Sequence, residues 1–296
     1  MSGAAHTDAE GAMDPATHPV SLAPGLLRDR VVVVSGGGSG IGRATAWVAA
    51  RLGAAVVVCG RTEEKLVGVV DAMRRHGLDA DFEIVDIRER ASARRAIDNI
   101  WNRFEGIDLL VNSAGGQFPK AAIDYSEKGW NAVIDTNLNG TWHMMQAAAE
   151  HWRDASRPGS IVNIVVVGRG LHGVAHTRAA RAGVIALSEA VAVEWGPYKI
   201  RVNCLGPGAV QTEGWAVYDE KTRAKYALTN PLMRVASAWE IAEAAIFVGG
   251  PAGGFINGEL LNVDGAGRHW GEIWTTGKPN YFAAATRVWD ADALPD

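Results

Sequence analysis

Val31-Val32-Val33-Val34-Ser35-Gly36-Gly37-Gly38-Ser39-Gly40-Ile41-Gly42 is the stretch that decides the fold. Four consecutive β-branched residues predict a short strand covered on both faces, as in the middle of a parallel sheet. The glycines that follow let the chain turn tightly and bring its backbone close to a bound group. A helix starting there offers free N–H groups and the positive end of its dipole. A glycine cluster alone is also what a loose turn looks like. Its place between a buried strand and a helix start is the context that a pyrophosphate-binding turn requires.

Working outward, strand and helix patterns alternate. The first helix runs to about residue 51 and Gly53 ends it; a second strand covers 55–59, and a helix covers 62–76 with Gly77 as its stop. Strands are predicted at 81–85, 107–111, 160–167, 200–204 and 259–263, and helices at 89–104, 126–153, 176–195 and 238–247. Residues 206–235 read as a long irregular segment, the pattern of a functional lid. The alternation predicts an α/β fold: a Rossmann-type, doubly wound parallel sheet of seven strands in a single domain, over residues 21–267. Residues 1–20 read as a polar, mobile tail, and 268–296 as an aromatic extension packed on the domain or on a neighbouring subunit.

Composition narrows the function classes. The 296 residues are 48% hydrophobic and 21% charged, enough for a large core in an ordinary soluble enzyme. A formal net charge of −4 favours neither nucleic acid nor an anionic membrane as partner. No apolar run approaches the roughly 20 residues that span a bilayer. The start has no basic segment followed by an apolar one, so no secretory signal is expected and the default location is cytoplasmic. Cys59 and Cys204 lie in apolar, strand-like surroundings and read as buried free thiols, and no spacing suggests a metal site. Trp130, Trp142 and Trp152 on the long helix read as packing or subunit contacts.

Ser35, Gly36, Ser39, Gly40, Ile41 and Gly42 form the candidate cofactor turn. The second strand ends in Gly60-Arg61. An acidic residue there would hydrogen-bond a ribose 2′-hydroxyl and repel a 2′-phosphate. Arg61 can instead hold that phosphate with charge-assisted bonds, which favours NADP(H). The bland alternative is that Arg61 caps a solvated helix start.

With Asn112-Ser113-Ala114-Gly115, Thr136-Asn137-Leu138 and Pro207-Gly208 added to the glycine turn, the chain resembles the short-chain dehydrogenase/reductase family over about residues 27–267. The resemblance implies that Asp86, with Ile87 beside it, contacts the adenine and that Asn112 supports the sheet beneath the cofactor. It implies that Ala114 and Gly115 line the cofactor channel, and that Pro207, Gly208, Val210 and Thr212 meet its nicotinamide end. It also implies an active-site role for Asn137 and a homotetramer built on the fourth and fifth helices.

One motif departs from the family. Its members carry a serine and then Tyr-x-x-x-Lys, whereas this chain has Thr177-Arg178-Ala179-Ala180-Arg181 and Val165 or Val166 at the serine position. A tyrosine of pKa about 10 can serve as an acid when a neighbouring cation lowers it. A threonine hydroxyl is far weaker, and arginine stays protonated, leaving Arg181 to bind ribose hydroxyls and keep the site positive. Ketone reduction, which makes an alkoxide, is poorly served. Reduction of a C=C bond conjugated to a thioester asks less, because hydrogen-bond donors stabilise the enolate and carbon is protonated afterwards.

Leu22-Ala23-Pro24-Gly25-Leu26-Leu27, Gly115-Gly116-Gln117-Phe118 and Ala179-Ala180-Arg181-Ala182-Gly183-Val184 resemble the peroxisomal trans-2-enoyl-CoA reductase branch. The related 2,4-dienoyl-CoA reductases also lack the tyrosine pattern, and Glu194-Trp195-Gly196 and Thr212-Glu213-Gly214 are similar to this wider group. An acyl-CoA is the implied substrate, with Asn137, Thr177, Arg181 and His176 as candidate catalytic residues. His172, His176, Thr177, Tyr218 and Tyr226 are candidates for the proton donor. The run Arg169, His172, His176, Arg178 and Arg181 is locally basic, suited to coenzyme A phosphates or simply solvated. Two rivals stay open: a carbonyl reductase with an atypical acid, and an NADP(H)-binding protein without catalysis.

Overall fold

In β1 (Val31–Ser35) the valine run divides its side chains between two separate cores. Val32 and Val34 join one apolar cluster and Val33 joins the other, all three fully buried. That is the period-two alternation of a strand covered on both sides, at about 1.5–3 kcal/mol per buried valine. The computed structural model describes residues 14–166, 173–217 and 220–270.

The chain continues through α1 (Gly40–Arg51), β2 (Ala55–Gly60), α2 (Glu63–Arg75), β3 (Ala80–Ile84), α3 (Arg90–Phe104) and β4 (Leu109–Asn112). Next come α4 (Glu127–Ile134), α5 (Gly140–Asp154), β5 (Gly159–Ile164), α6 (Ala175–Trp195) and β6 (Ile200–Pro207). The last elements are β7 (Val210–Gln211), α7 (Glu220–Lys225), β8 (Ala236–Ser237), α8 (Ala238–Gly249) and β9 (Leu260–Val263). Seven strands form one sheet in the order β3-β2-β1-β4-β5-β6-β9, every pairing parallel.

Leu66, Met73, Ile241 and Ile246 of α2 and α8 pack with α1 on one face of the sheet. Ile97, Met144, Trp152 and Trp195 of α3, α5 and α6 cover the other. The strand order reverses between β1 and β4, so the loops that follow them part. The crevice they leave lies at the carboxyl ends of the strands, where open α/β sheets take their ligands. Both cysteines are buried thiols. Among the described residues no helix is long and apolar enough to cross a membrane.

The structure departs from the sequence expectation in four places. The helical region predicted across 126–153 is present from Glu127 to Asp154 but contains an unexpected π turn, Asp135–Asn139, between α4 and α5. The fifth strand ends at Ile164, and the predicted end at Val167 lies outside the described residues. Segment 206–235, read as irregular, carries structure: β7 pairs with β8, and helical turns at Glu213–Val217, Glu220–Lys225 and Tyr226–Thr229 lie between them. Residues 14–20, read as mobile, are held against α1 and α8. Arg51 donates to the carbonyls of Pro15 and His18, and the His18 ring stacks on Trp239 at 4.3 Å. The extension beyond residue 270 lies outside the described residues.

Candidate active site

The glycine turn is shaped first by packing. A Cβ at Gly36 would fall 2.6 Å from the Ala114 nitrogen, and one at Gly42 would fall 2.3 Å from the Gly36 oxygen. Backbone meets backbone here, which leaves no room for a side chain. Gly36 and Gly40 also take positive φ, +76° and +51°. Ser39 caps α1 without a side-chain hydrogen bond, and the first turn of α1 carries no acidic residue of its own. The N–H of Gly40 donates to Glu213 Oε2 at 3.0 Å, and Arg43 forms an ion pair with the same carboxylate.

A cleft of about 340 Å³ runs from this turn past the ends of β2 and β3. It brings together Ser35, Gly36, Ser39, Gly40, Ile41, Arg61, Asp86, Ile87, Ala114, Gly115 and Thr212 of the predicted cofactor residues. Arg61 is exposed, and Lys65 and Arg88 line the same cleft. Arg88 clasps Asp86, Nε lying 2.9 and 3.1 Å from its two oxygens and Nη2 2.5 Å from one. Those bonds, with the nearby charge of Arg61, hold the Asp86 carboxyl below its ordinary range.

Other predicted residues stand behind the cleft. Asn112 is buried and donates to Asn163 Oδ1 at 2.9 Å, joining β4 to β5. Gly42 lies inside α1, and Val210 is buried in the core beside α1 and α8. Pro207 ends β6, and Gly208 packs on Asp264, where a Cβ would come within 2.9 Å of its Cα.

Asn137, carried by the π turn, grips Gly116 from both sides. Its Oδ1 accepts from the Gly116 N–H at 2.9 Å, while Nδ2 donates to the Gly116 carbonyl at 2.9 Å and to Thr177 Oγ at 3.1 Å. The Thr177 hydroxyl reaches the same carbonyl only at 3.3 Å, a long bond for its proton. One turn further along α6, Arg181 is buried and donates from Nη2 to the Ala114 carbonyl at 3.2 Å. Among the described residues its Nε and Nη1 meet no acceptor. Burial pushes its pKa down to about 10, so it remains a cation at neutral pH.

Two donors of a buried cation without partners are costly, on the order of 1–3 kcal/mol each, and they fit hydroxyls of a bound ribose. With the glycine turn and the arginine-lined cleft, the residues present suit a phosphorylated dinucleotide.

His176 is fully buried and, like Asn137, Thr177 and Arg181, does not itself line the cleft. Its ring stacks on Tyr125 at 4.5 Å and meets Phe118 edge-on at 4.6 Å, while Nδ1 accepts the Thr177 N–H at 2.8 Å. Desolvation lowers its pKa, so the ring is held neutral. The Tyr125 hydroxyl accepts the Ala175 N–H at 2.9 Å, which pins the loop before α4 to the start of α6. Tyr226 lies against Trp215 at 5.1 Å, and His172 and Tyr218 fall outside the described residues.

The basic run does not form a surface patch among the described residues. His176 and Arg181 turn inward, and Arg178 donates to the Val166 carbonyl at 3.0 Å. Sequence reading gave no role to Lys65, Arg88, Arg43, Glu213, Gly116 or Tyr125. The first two carry a readable signal, since both sit just past strand ends next to Arg61.

Comparison with known proteins places these features in context. The family described as enoyl-(acyl carrier protein) reductase matches residues 36–267. A probable 2,4-dienoyl-CoA reductase of Bacillus subtilis is 37% identical over 81% of this chain and 96% of its own. A 3-oxoacyl-[acyl-carrier-protein] reductase of Chlamydia trachomatis is 33% identical over 81% of this chain and 98% of its own. The crystal structure of a gluconate 5-dehydrogenase of Burkholderia cenocepacia, in complex with NADP and tartrate, superposes with a TM-score of 0.77. It is 33% identical and covers 83% of this chain and 99% of that one.

Proposed function

Because the chain belongs to the short-chain dehydrogenase/reductase family of nicotinamide-dependent oxidoreductases, we propose that it uses NADPH to reduce a C=C bond conjugated to a thioester, in an enoyl- or dienoyl-CoA. The observation that carries this reading is the knot of Asn137, Gly116 and Thr177 beside the buried Arg181. It offers the Thr177 hydroxyl and a fixed positive charge where the family pattern has an acid.

The choice of NADPH is supported by Arg61 and Lys65 at the adenosine end of the cleft, where two cations suit a 2′-phosphate while Arg88 is held by Asp86. Asp86 and Ile87 would hold the adenine, the glycine turn the diphosphate, and Arg181 the nicotinamide ribose. Bound NADPH would supply the hydride.

The chain's own part is electrostatic. Hydride addition at the β-carbon sends the electron pair to the thioester oxygen. Thr177 already accepts from Asn137, so its proton is free to turn from the distant Gly116 carbonyl to that oxygen. Arg181 adds positive charge in a site of low dielectric. The enolate then takes a proton at carbon from water, which balances the reduction. His176 supports the site from behind, walled in by Tyr125 and Phe118. A homotetramer built on α4 and α5 is what the family implies, and Trp130 of α4 is exposed on that surface.

The test is NADPH oxidation with 2-enoyl-CoA and 2,4-dienoyl-CoA, set against 3-oxoacyl thioesters and simple ketones. Turnover of the unsaturated thioesters with little ketone reduction is expected. Robust ketone reduction without enoyl activity would reject the reading, and tight NADPH binding with no turnover anywhere would favour a non-catalytic role.

A further inference from the structure

Glu213 follows Thr212 at the cleft and reaches across the fold to the start of α1. Its Oε2 accepts the first N–H of that helix, from Gly40, at 3.0 Å, and its other oxygen pairs with Arg43. The backbone approaches as well: a Cβ at Gly40 would sit 3.5 Å from Thr212 Cβ and Cγ2, and 3.9 Å from Glu213 Oε2. The helix supplies no acidic residue in its own first turn, and Ser39 leaves the orphan N–H groups uncapped. So the carboxylate stabilising this helix N-terminus comes from 173 residues away in sequence. Although burial alone would raise its pKa, hydrogen bonds from Gly40 and its own backbone, with the charge of Arg43, hold it below its ordinary value.

A helix N-terminus favours one anion, and a diphosphate seated on the glycine turn needs the same N–H group and the same field. Two anions a few ångströms apart repel each other. We infer that Glu213 is a built-in counter-anion of the cofactor site, which holds the diphosphate position in the free protein and is displaced when the dinucleotide binds. The inference rests on the reading of the glycine turn as a dinucleotide site. Displacement also frees Arg43, which lies with Glu213 in the hollow adjoining the glycine turn, on the far side of Gly38, Ser39 and Gly40 from the cleft. Glu213 therefore sets cofactor affinity through competition, and it couples the segment after Thr212 to the state of the cleft.

The experiment compares the full chain with Glu213→Gln, by fluorescence titration with NADPH and by thermal unfolding of the cofactor-free protein. Glutamine keeps the length and shape of the side chain and removes its charge. NADPH should bind about two- to five-fold more tightly to the variant, the range that a charge at a helix end contributes. The cofactor-free variant should melt at a lower temperature than the wild type. The opposite signs are the signature, because a merely structural ion pair would lower both affinity and stability on removal. Equal or weaker NADPH binding by the variant, with the wild type binding normally, overturns the inference alone. If the folded wild type binds no NADPH, the dinucleotide reading fails and takes the inference with it.

Discussion

Arg181 lies so close to Gly115 that a Cβ at position 115 would sit 2.1 Å from its Nη2. The same nitrogen donates to the Ala114 carbonyl, so the turn after β4 and the first turns of α6 meet through one guanidinium. Position 115 must therefore be glycine for Arg181 to stay where it is, though the φ of Gly115 is not among the positive ones. Gly115→Ala should fold, because the clash is with the far end of a flexible side chain, and lose about 1–3 kcal/mol as the guanidinium shifts. NADPH affinity should fall by about tenfold, the loss of one charge-assisted contact. Denaturant unfolding and NADPH titration check the two parts separately.

Thr177 tests the enolate assignment. Thr177→Val keeps the shape and removes the hydroxyl, while Asn137 retains its bonds to Gly116. Loss of one oxyanion donor should reduce kcat on an enoyl-CoA by about 10²–10³-fold, with the Kd for NADPH little changed. Thr177→Ser should restore most of the rate. Steady-state kinetics on the three proteins would show it, and an unchanged kcat in the valine variant would remove Thr177 from the chemistry.

Much of this architecture was written in local pattern. The valine run, the glycine turn after it and the strand–helix alternation place the sheet and the cleft, because buried parallel strands and tight turns leave period and composition behind. The π turn left no such trace, since one added residue in a helical stretch hardly disturbs the 3.6-residue pattern over 126–153. Arg181 shows a second limit. Its place in the motif assigns it to the cofactor ribose, but only tertiary packing reveals the guanidinium buried against Gly115. Contacts between distant segments, such as Glu213 with Gly40 or Tyr125 with His176, depend on loop paths that one sequence does not encode locally. Lys65 and Arg88 were more accessible, because β2 and β3 are neighbours and the loops after them share an edge of the cleft.

Arg61 offers a test of cofactor choice. It is exposed, forms no ion pair among the described residues, and stands with Lys65 and Arg88 on the cleft. Arg61→Ala should weaken NADPH binding by about tenfold while leaving NADH nearly unchanged, since only NADPH carries the 2′-phosphate. Parallel titrations give the ratio of the two Kd values. An equal loss for both cofactors would mean that Arg61 serves the turn and not the phosphate.

His176 predicts an acid-sensitive element in stability. Its pKa is lowered in the folded protein by burial, whereas the unfolded chain takes the ordinary value near 6.5. Between the two values the unfolded state binds the additional proton, so stability rises with pH through that window. The contribution is fully present above about 6.5, falls as pH drops below it, and levels off once the folded-state value is passed. In His176→Asn the amide oxygen can still accept the Thr177 N–H that Nδ1 accepts at 2.8 Å, but nothing titrates. The variant should be less stable than the wild type at pH 7.5, because the stack on Tyr125 and the edge contact with Phe118 are lost, and the gap should narrow toward pH 5. Denaturant midpoints across that range measure the gap, and a constant difference would show that the folded and unfolded states take up the proton alike. Because the ring is walled off from the cleft, the pH profile of kcat should keep its inflections in the variant; loss of one would make His176 a participant in proton transfer.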